Sequence, residues 1–303
     1  VITREIYQPP KGNGEFIKLP KFLHISGAGG NGKSEYIVKL AKSYKSLCFI
    51  GPTNIACNNL IERGKSLGIK IDAFTYHKVF GISCRDMFPR HKYNRFVLDE
   101  CSMVSAQALK MIMDKLNPTQ SLLLAGDFNQ LPPAGGEGGI FNNWTGEKSL
   151  EYERFNIMEL TKNWRQKEDP DFFELCNKLR TKLSKTDAME IIEKLNTRFI
   201  KIKKSDINTI DDIYICGINK QVDTINTSSL KCNRVVSIKN FKDGDNFISN
   251  GLIGIVKKQN KNNIIKWENG TESNYQKCES RINPATAITV HKSQGKTLKR
   301  NVV

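Results

Sequence analysis

Phe22-Leu23-His24-Ile25-Ser26 runs directly into Gly27-Ala28-Gly29-Gly30-Asn31-Gly32-Lys33-Ser34, an apolar stretch emptying into a loop of the form G-x-x-x-x-G-K-[ST]. The run reads as a buried strand and Lys33 to Lys45 has helical spacing, so the motif stands in the strand-loop-helix context it requires. Its glycines let backbone N–H groups turn toward phosphate oxygens, and a helix beginning at Lys33 points its positive end at the same charge. The spacing therefore predicts a nucleotide phosphate site lined by Gly27, Gly30, Asn31, Gly32, Lys33 and Ser34. Lys33 would reach the β- and γ-phosphates and Ser34 would hold Mg²⁺. The bland alternative is a glycine turn beside a chance lysine, and it does not explain the flanking pattern.

Moving outward, the runs Leu47-Ile50, Phe96-Leu98 and Leu122-Ala125 alternate with helical patterns, which implies a parallel sheet with crossover helices. Ser105 is a candidate N-cap for a helix with Leu109, Ile112, Met113 and Leu116 on one face, ended by Asn117-Pro118. Composition changes after Pro132-Pro133-Ala134-Gly135-Gly136, and Asp169-Pro170 reads as a new helix start carrying Phe172, Phe173, Leu175, Cys176 and Leu179. The expected domain boundary lies near residue 167. In the second half Ile213-Cys216 reads as a strand. From about 235 to 280, short β-like pieces are divided by the turn signals Lys242-Asp243-Gly244-Asp245, Ser249-Asn250-Gly251 and Glu268-Asn269-Gly270. That segment reads as a small-barrel insertion, after which Ala287-Val290 resumes the parent sheet. The expected class is α/β.

Phe96-Val97-Leu98-Asp99-Glu100 is a second chemical constellation, an apolar strand ending in two carboxylates. In a doubly wound sheet ligands gather at the carboxyl ends of strands, beside the phosphate loop. There Asp99 would hold Mg²⁺, partly through water, and Glu100 would polarise the attacking water. A solvated Asp-Glu pair at a strand end is the ordinary reading, outweighed here by the phosphate loop. Gly126-Asp127-Phe128-Asn129-Gln130 ends the next apolar run, and Gln130 is the candidate sensor of the γ-phosphate; in most unrelated chains it would be a plain turn.

Across 303 residues, 47 lysines and arginines against 31 acidic residues give a formal charge of +16. A polyanionic partner is expected, although charge alone does not choose between nucleic acid and another anionic surface. The 8 cysteines show no C-x-x-C pair and no metal-ligand spacing, which reads as reduced thiols in an intracellular protein. No apolar run approaches the ~18 residues of a membrane span, and nothing resembles a signal peptide. No membrane partner is expected. The first residue is Val, so a piece of a longer polypeptide is expected.

The order of motifs resembles superfamily 1 helicases of the 5′-to-3′ group, the class that includes RecD and phage Dda. Gly27 to Ser34 is similar to motif I, Gly51-Pro52-Thr53-Asn54 to motif Ia and Phe74-Thr75-Tyr76-His77 to motif Ib. Asp99 to Val104 is similar to motif II, Gly126 to Pro132 to motif III, and Leu160-Thr161-Lys162-Asn163-Trp164-Arg165-Gln166 to motif IV. Ala287-Ile288-Thr289-Val290-His291-Lys292-Ser293-Gln294-Gly295-Lys296-Thr297 is similar to motif V, and Phe247 to Gly254 to the segment that precedes it. One such motif is weakly specific, but their joint order is not.

That resemblance implies two RecA-like domains with ATP between them and single-stranded DNA across their upper faces. The first would span 1–167, with motifs I to IV, and the second 168–303, with an SH3-like insertion at about 235–280. The resemblance also implies an ATP-dependent DNA helicase or translocase moving 5′ to 3′ in replication or repair, with fork DNA as a partner and primase a candidate one. Arg165 would serve the γ-phosphate and Gly295 the nucleotide. Pro52, Thr53, Asn54, Thr75, His77, Thr289, His291 and Ser293 would grip DNA phosphates, contacts that position a strand without reading its sequence. Both histidines have an alternative reading as hydrogen-bonded core residues. Tyr76, Phe80 and Trp144 read as packing before base stacking.

Three departures stand out. Only Gln8, in a Pro-rich context, is available for the adenine-reading glutamine ahead of motif I. The stretch between His77 and Phe96 leaves only Cys84 to Arg90 for a duplex-splitting pin. Val303 follows motif V before any motif VI arginine, so weak hydrolysis by this piece alone is expected. The rival readings are a helicase-like nucleic-acid-binding subunit of a larger complex, such as a helicase-primase, and a P-loop ATPase acting on protein.

Overall fold

The computed structural model describes residues 19–82, 88–133, 138–142, 145–164, 169–181, 183–197, 213–228, 233–259, 262–293 and 301–302. Gln8, most of the candidate pin, Trp144, Arg165 and Gly295 lie outside these residues. The chain divides into two compact units, residues 1–200 and 201–303.

The first unit comprises β1 (Phe22–Ser26), α1 (Lys33–Lys39), β2 (Leu47–Gly51), α2 (Asn54–Ser66), β3 (Ala73–Thr75), α3 (Tyr76–Phe80), β4 (Arg95–Leu98), α4 (Ala106–Asp114), β5 (Ser121–Ala125), β6 (Asn156–Glu159), α5 (Pro170–Lys178) and α6 (Lys185–Asn196). Its six strands form one parallel sheet in the order β3-β2-β4-β5-β1-β6. The near-continuous apolar runs follow from burial on both faces. Side chains alternate across the pleat: Leu23, Ile25, Phe49, Val97 and Leu123 pack under Ile37, Val38 and Leu60 of α1 and α2. Ile50, Phe96, Leu98, Leu122 and Leu124 pack under Val79, Phe80, Leu109 and Ile112 of α3 and α4. The result is a three-layer α/β/α sandwich, as expected.

Local signals set several ends. Ser105 accepts from the Ala108 N–H and caps α4, whose Leu109, Ile112 and Met113 are buried. Asp169 accepts from the Phe172 N–H with Pro170 behind it, starting α5. The helix expected over Lys33–Lys45 is shorter, with α1 ending at Lys39 and a 3₁₀ turn covering Leu40–Lys42.

The compact division after Ile200 differs from the boundary expected near 167. The physical reason is that α5 and α6 belong by contact to the first unit, to which Arg180, just beyond α5, is tied by an ion pair with Asp127.

The second unit comprises β7 (Ile213–Cys216), α7 (Asn219–Ser228), β8 (Arg234–Ser237), β9 (Phe241–Asp243), β10 (Asn246–Ile248), β11 (Ile253–Gln259), β12 (Asn262–Trp267), β13 (Glu272–Asn274), α8 (Tyr275–Cys278), β14 (Ile282–Pro284), β15 (Ala287–Thr289), α9 (Val290–Ser293) and β16 (Asn301–Val302). Strands β15, β7 and β16 pair in parallel. Between β7 and β15 the chain makes a five-stranded antiparallel sheet, β13-β12-β11-β8-β14, and the ribbon β10-β9. The insertion thus runs from Arg234 to Pro284, around a core of Val235, Phe241, Ile248, Leu252, Ile265, Trp267 and Ile282. Val236 and Ile253 join it to Ile213 and Ile288 of the parallel strands.

Candidate active site and nucleic-acid interface

Every strand of the first sheet delivers its carboxyl end to the same edge, where ligands bind in open α/β sheets. β1 leads into the glycine loop, in which Gly27, Gly30 and Gly32 hold φ values of 148°, 89° and 81°. Gly27 is also a close approach: a Cβ there would stand 2.5 Å from the Leu160 carbonyl oxygen. The chain leaving β6 therefore lies directly on the loop. The Asn31 amide donates to the Leu160 carbonyl, Asn163 Nδ2 donates to the Gly29 carbonyl at 3.1 Å, and the Trp164 N–H donates to Gly30 O at 2.9 Å.

Lys33 Nζ donates to the carbonyls of Gly27 at 2.8 Å and Ala28 at 3.1 Å. Burial lowers its pKa, against the raising effect of Asp127, Glu100 and Asp99. The structure brings Ser34 to the motif II strand as well, its Oγ donating to Asp99 Oδ2 at 3.0 Å. β4 is not the neighbour of β1, because β5 lies between them. The contact crosses above β5, which Gly126 directly follows: a Cβ there would meet Cys101 Sγ at 2.6 Å. Asp99 is buried. That burial, and then the Glu100 carboxylate, push its pKa up to about 7.

Glu100 has φ 53°, and among the described residues no other non-glycine has positive φ. A left-handed residue of this kind costs on the order of 1–3 kcal/mol, and such strain clusters at functional sites. Here it turns the chain sharply out of β4 into a 3₁₀ turn over Cys101–Met103. Gln130 reaches the loop from β5: its Nε2 would be 3.6 Å from a Cβ at Gly29.

Two residues of this site carried no chemistry in the sequence reading. Trp164, half-exposed, packs its ring beside Gly32, at 3.4 Å from where a Cβ would be, with Lys162 Nζ 4.0 Å from the ring centroid. Its place before Arg165 is the one signal that pointed to it. His24 sits buried in β1 and carries two hydrogen bonds. Nε2 faces the Gly126 carbonyl at 3.3 Å and so donates; Nδ1 therefore accepts from the Tyr152 hydroxyl at 2.6 Å. Nothing in an apolar run distinguishes such a histidine in advance.

Pro52, Thr53 and Asn54 follow β2 on the same edge, and Thr75 and His77 lie at the end of β3 and in α3. The hydroxyls of Thr53 and Thr75 already accept helix N–H groups, from Ala56 at 3.1 Å and Lys78 at 3.4 Å. His77 stacks on Tyr76, with centroids 4.0 Å apart, and burial lowers its pKa. Tyr76 and Phe80 are buried, in keeping with packing. In the second unit Thr289 accepts from the Lys292 N–H at 3.3 Å and Ser293 Oγ donates to Val290 O at 2.8 Å. The Nε2 of His291 is buried with no hydrogen-bond partner. Among the described residues no cluster of His, Cys, Asp and Glu suits a metal cage, and no helix is long and apolar enough to cross a membrane.

A family model described as an AAA domain matches residues 17–136. The ATP-dependent DNA helicase Pif1 of Campylobacter jejuni is 26% identical over 254 residues, covering 71% of this chain and 53% of that protein. The chain thus spans about half the length of the curated relative it matches. Among solved structures, a Bacteroides Pif1 bound to single-stranded DNA superposes with a TM-score of 0.64 at 21% identity, over 92% of this chain and 82% of that one. A structure of two coordinating Pif1 helicases at forked duplex DNA gives 0.62 at 23% identity, over 92% and 80%. Pif1 from Candida albicans gives 0.58 at 18% identity, over 93% and 84%. The resemblance to superfamily 1 helicases of the 5′-to-3′ group is borne out, and the fold is that of the Pif1 structures.

Proposed function

We propose that this chain is the motor core of an ATP-dependent DNA helicase that moves 5′ to 3′ on single-stranded DNA. The observation that carries this reading is the 3.0 Å contact of Ser34 with Asp99 across the end of β5, with Lys33, Gln130 and the 160–164 segment on the same loop. A hydroxyl and a carboxylate converging there are the donor set that would hold Mg²⁺, which would supply charge neutralisation to the phosphates. Lys33 exchanges its loop carbonyls for those phosphates, Glu100 takes the proton of the attacking water, and Gln130 and Arg165 answer to the γ-phosphate. Gly295 is a further residue assigned to the nucleotide.

Pro52, Thr53, Asn54, Thr75, His77, Thr289, His291 and Ser293 hold the DNA backbone, with His291 Nε2 buried and without a hydrogen-bond partner. The +16 charge supports a polyanionic track, and the Pif1 relatives solved on single-stranded and forked DNA favour the same partners here. The setting is intracellular replication or repair at forks, beside primase or other replication proteins. The second unit is a RecA-like domain with an SH3-like insertion.

Lys33→Ala should abolish nucleotide turnover, and Glu100→Gln should keep nucleotide binding and lose hydrolysis, both proteins remaining folded by circular dichroism. Wild-type turnover in either variant would remove this active site.

A further inference from the structure

Asp127 is 2% exposed and stands among charges: it is the foremost acidic influence on Lys33, ahead of Glu100 and Asp99. Its Oδ2 accepts from Arg180, whose side chain is 24% exposed, and its Oδ1 accepts from the Asn129 N–H at 3.1 Å. The Gln130 N–H donates to Asp127 O at 2.9 Å, closing the turn that aims Gln130 at Gly29. A buried carboxylate beside a phosphate site is costly unless paired, and loss of its partner leaves an uncompensated charge. Arg180 lies just past α5, the helix that follows the 160–164 segment resting on the phosphate loop.

We infer that Arg180 is a positioning residue for nucleotide hydrolysis: its ion pair with Asp127 fixes the turn carrying Gln130. The inference rests on the helicase reading above. In this role Arg180 acts through Asp127 on Gln130. The segment from Leu160 to Arg180 is thereby fastened to the nucleotide site at both ends, by Asn163 and Trp164 at one and by Arg180 at the other.

The test is a double-mutant cycle in the full-length protein, reading kcat and KM for ATP with saturating oligo-dT. Arg180→Met should lower kcat by on the order of tenfold to a hundredfold, the scale of a misplaced catalytic group, with KM changed far less. Arg180→Lys, which keeps the charge, should recover part of the loss. In a Gln130→Ala background the same Arg180 change should cost little more, since the group it positions is gone. If Arg180→Met does not fold, Asp127→Asn with Arg180→Met removes the unpaired charge and takes its place in the cycle. Independent, multiplying losses from Arg180 and Gln130, or a normal kcat in Arg180→Met, would overturn the inference. Absence of DNA-stimulated hydrolysis in the unaltered protein would instead strike the helicase reading.

Discussion

Replacing Gly126 with Ala asks whether the end of β5 must be bare for the motif II carboxylates to reach Ser34. The new methyl would stand 2.6 Å from Cys101 Sγ, 2.9 Å from the Cys101 backbone N and 3.4 Å from the Ser102 N. Ordinary contact needs about 3.5 Å or more, so the 101–102 segment has to move by roughly 1 Å. β5 is buried along its length and paired on both sides, which leaves little room for the strand itself to yield. Overpacking of this kind costs about 1–3 kcal/mol, or about 2–12 °C in Tm for a unit of this size. Glu100 and Asp99 directly precede Cys101, and a misplacement of about 1 Å can cost about 10²-fold in rate. Adding Cys101→Ala removes the collision with sulfur but not that with the backbone N, so it should restore Tm and turnover only in part. Thermal unfolding and ATP hydrolysis measured on both variants check this. Wild-type Tm and kcat in Gly126→Ala would show that the close crossing is not what places the carboxylates.

Three further outcomes are expected. Asp99 is pushed up to about 7 from its ordinary 3.8 by burial and then by Glu100, so without bound cation its ionisation opposes folding. The penalty is absent below about 4 and complete above about 7, reaching at most about 4 kcal/mol; Asp99→Asn should be the more stable protein at pH 8 in EDTA, with the difference closing toward pH 4 in denaturant titrations. Trp164→Ala should raise KM for ATP and leave the affinity for tripolyphosphate nearly unchanged if the indole beside Gly32 meets the base, whereas equal losses for both would make it only a prop for the loop. Binding to single strands of different sequence should be nearly equal, and log K should fall linearly with log salt at about −0.7 per phosphate neutralised; a flat response by fluorescence anisotropy would contradict a backbone-gripping track.

The phosphate loop was legible because one short stretch carries its strand, its glycines and its helix start, and Ser105 and Asp169-Pro170 mark their helices by equally local chemistry. Strands β3 and β6 escaped notice. Ala73–Thr75 is too short to show a period, and the exposed Asn156 and Glu159 at the ends of β6 dilute its apolar signal. The placement of β5 between β1 and β4 is a long-range fact that no local pattern encodes, and Gly126 shows its purpose only once Cys101 is seen against it. His24 with Tyr152 and Asp127 with Arg180 are pairs separated by 128 and 53 positions. Each partner reads alone as unremarkable. The boundary expected near 167 stands just ahead of the helix start at Asp169-Pro170, whereas contacts carry α5 and α6 with the first unit.

ATP turnover by the full-length protein, measured with and without single-stranded oligo-dT, bears most directly on the proposed motor. Hydrolysis should rise severalfold or more on adding DNA and vanish in Lys33→Ala. DNA bound with no change in turnover would mean a helicase-like binding subunit, and turnover indifferent to DNA would mean a P-loop ATPase working on something else.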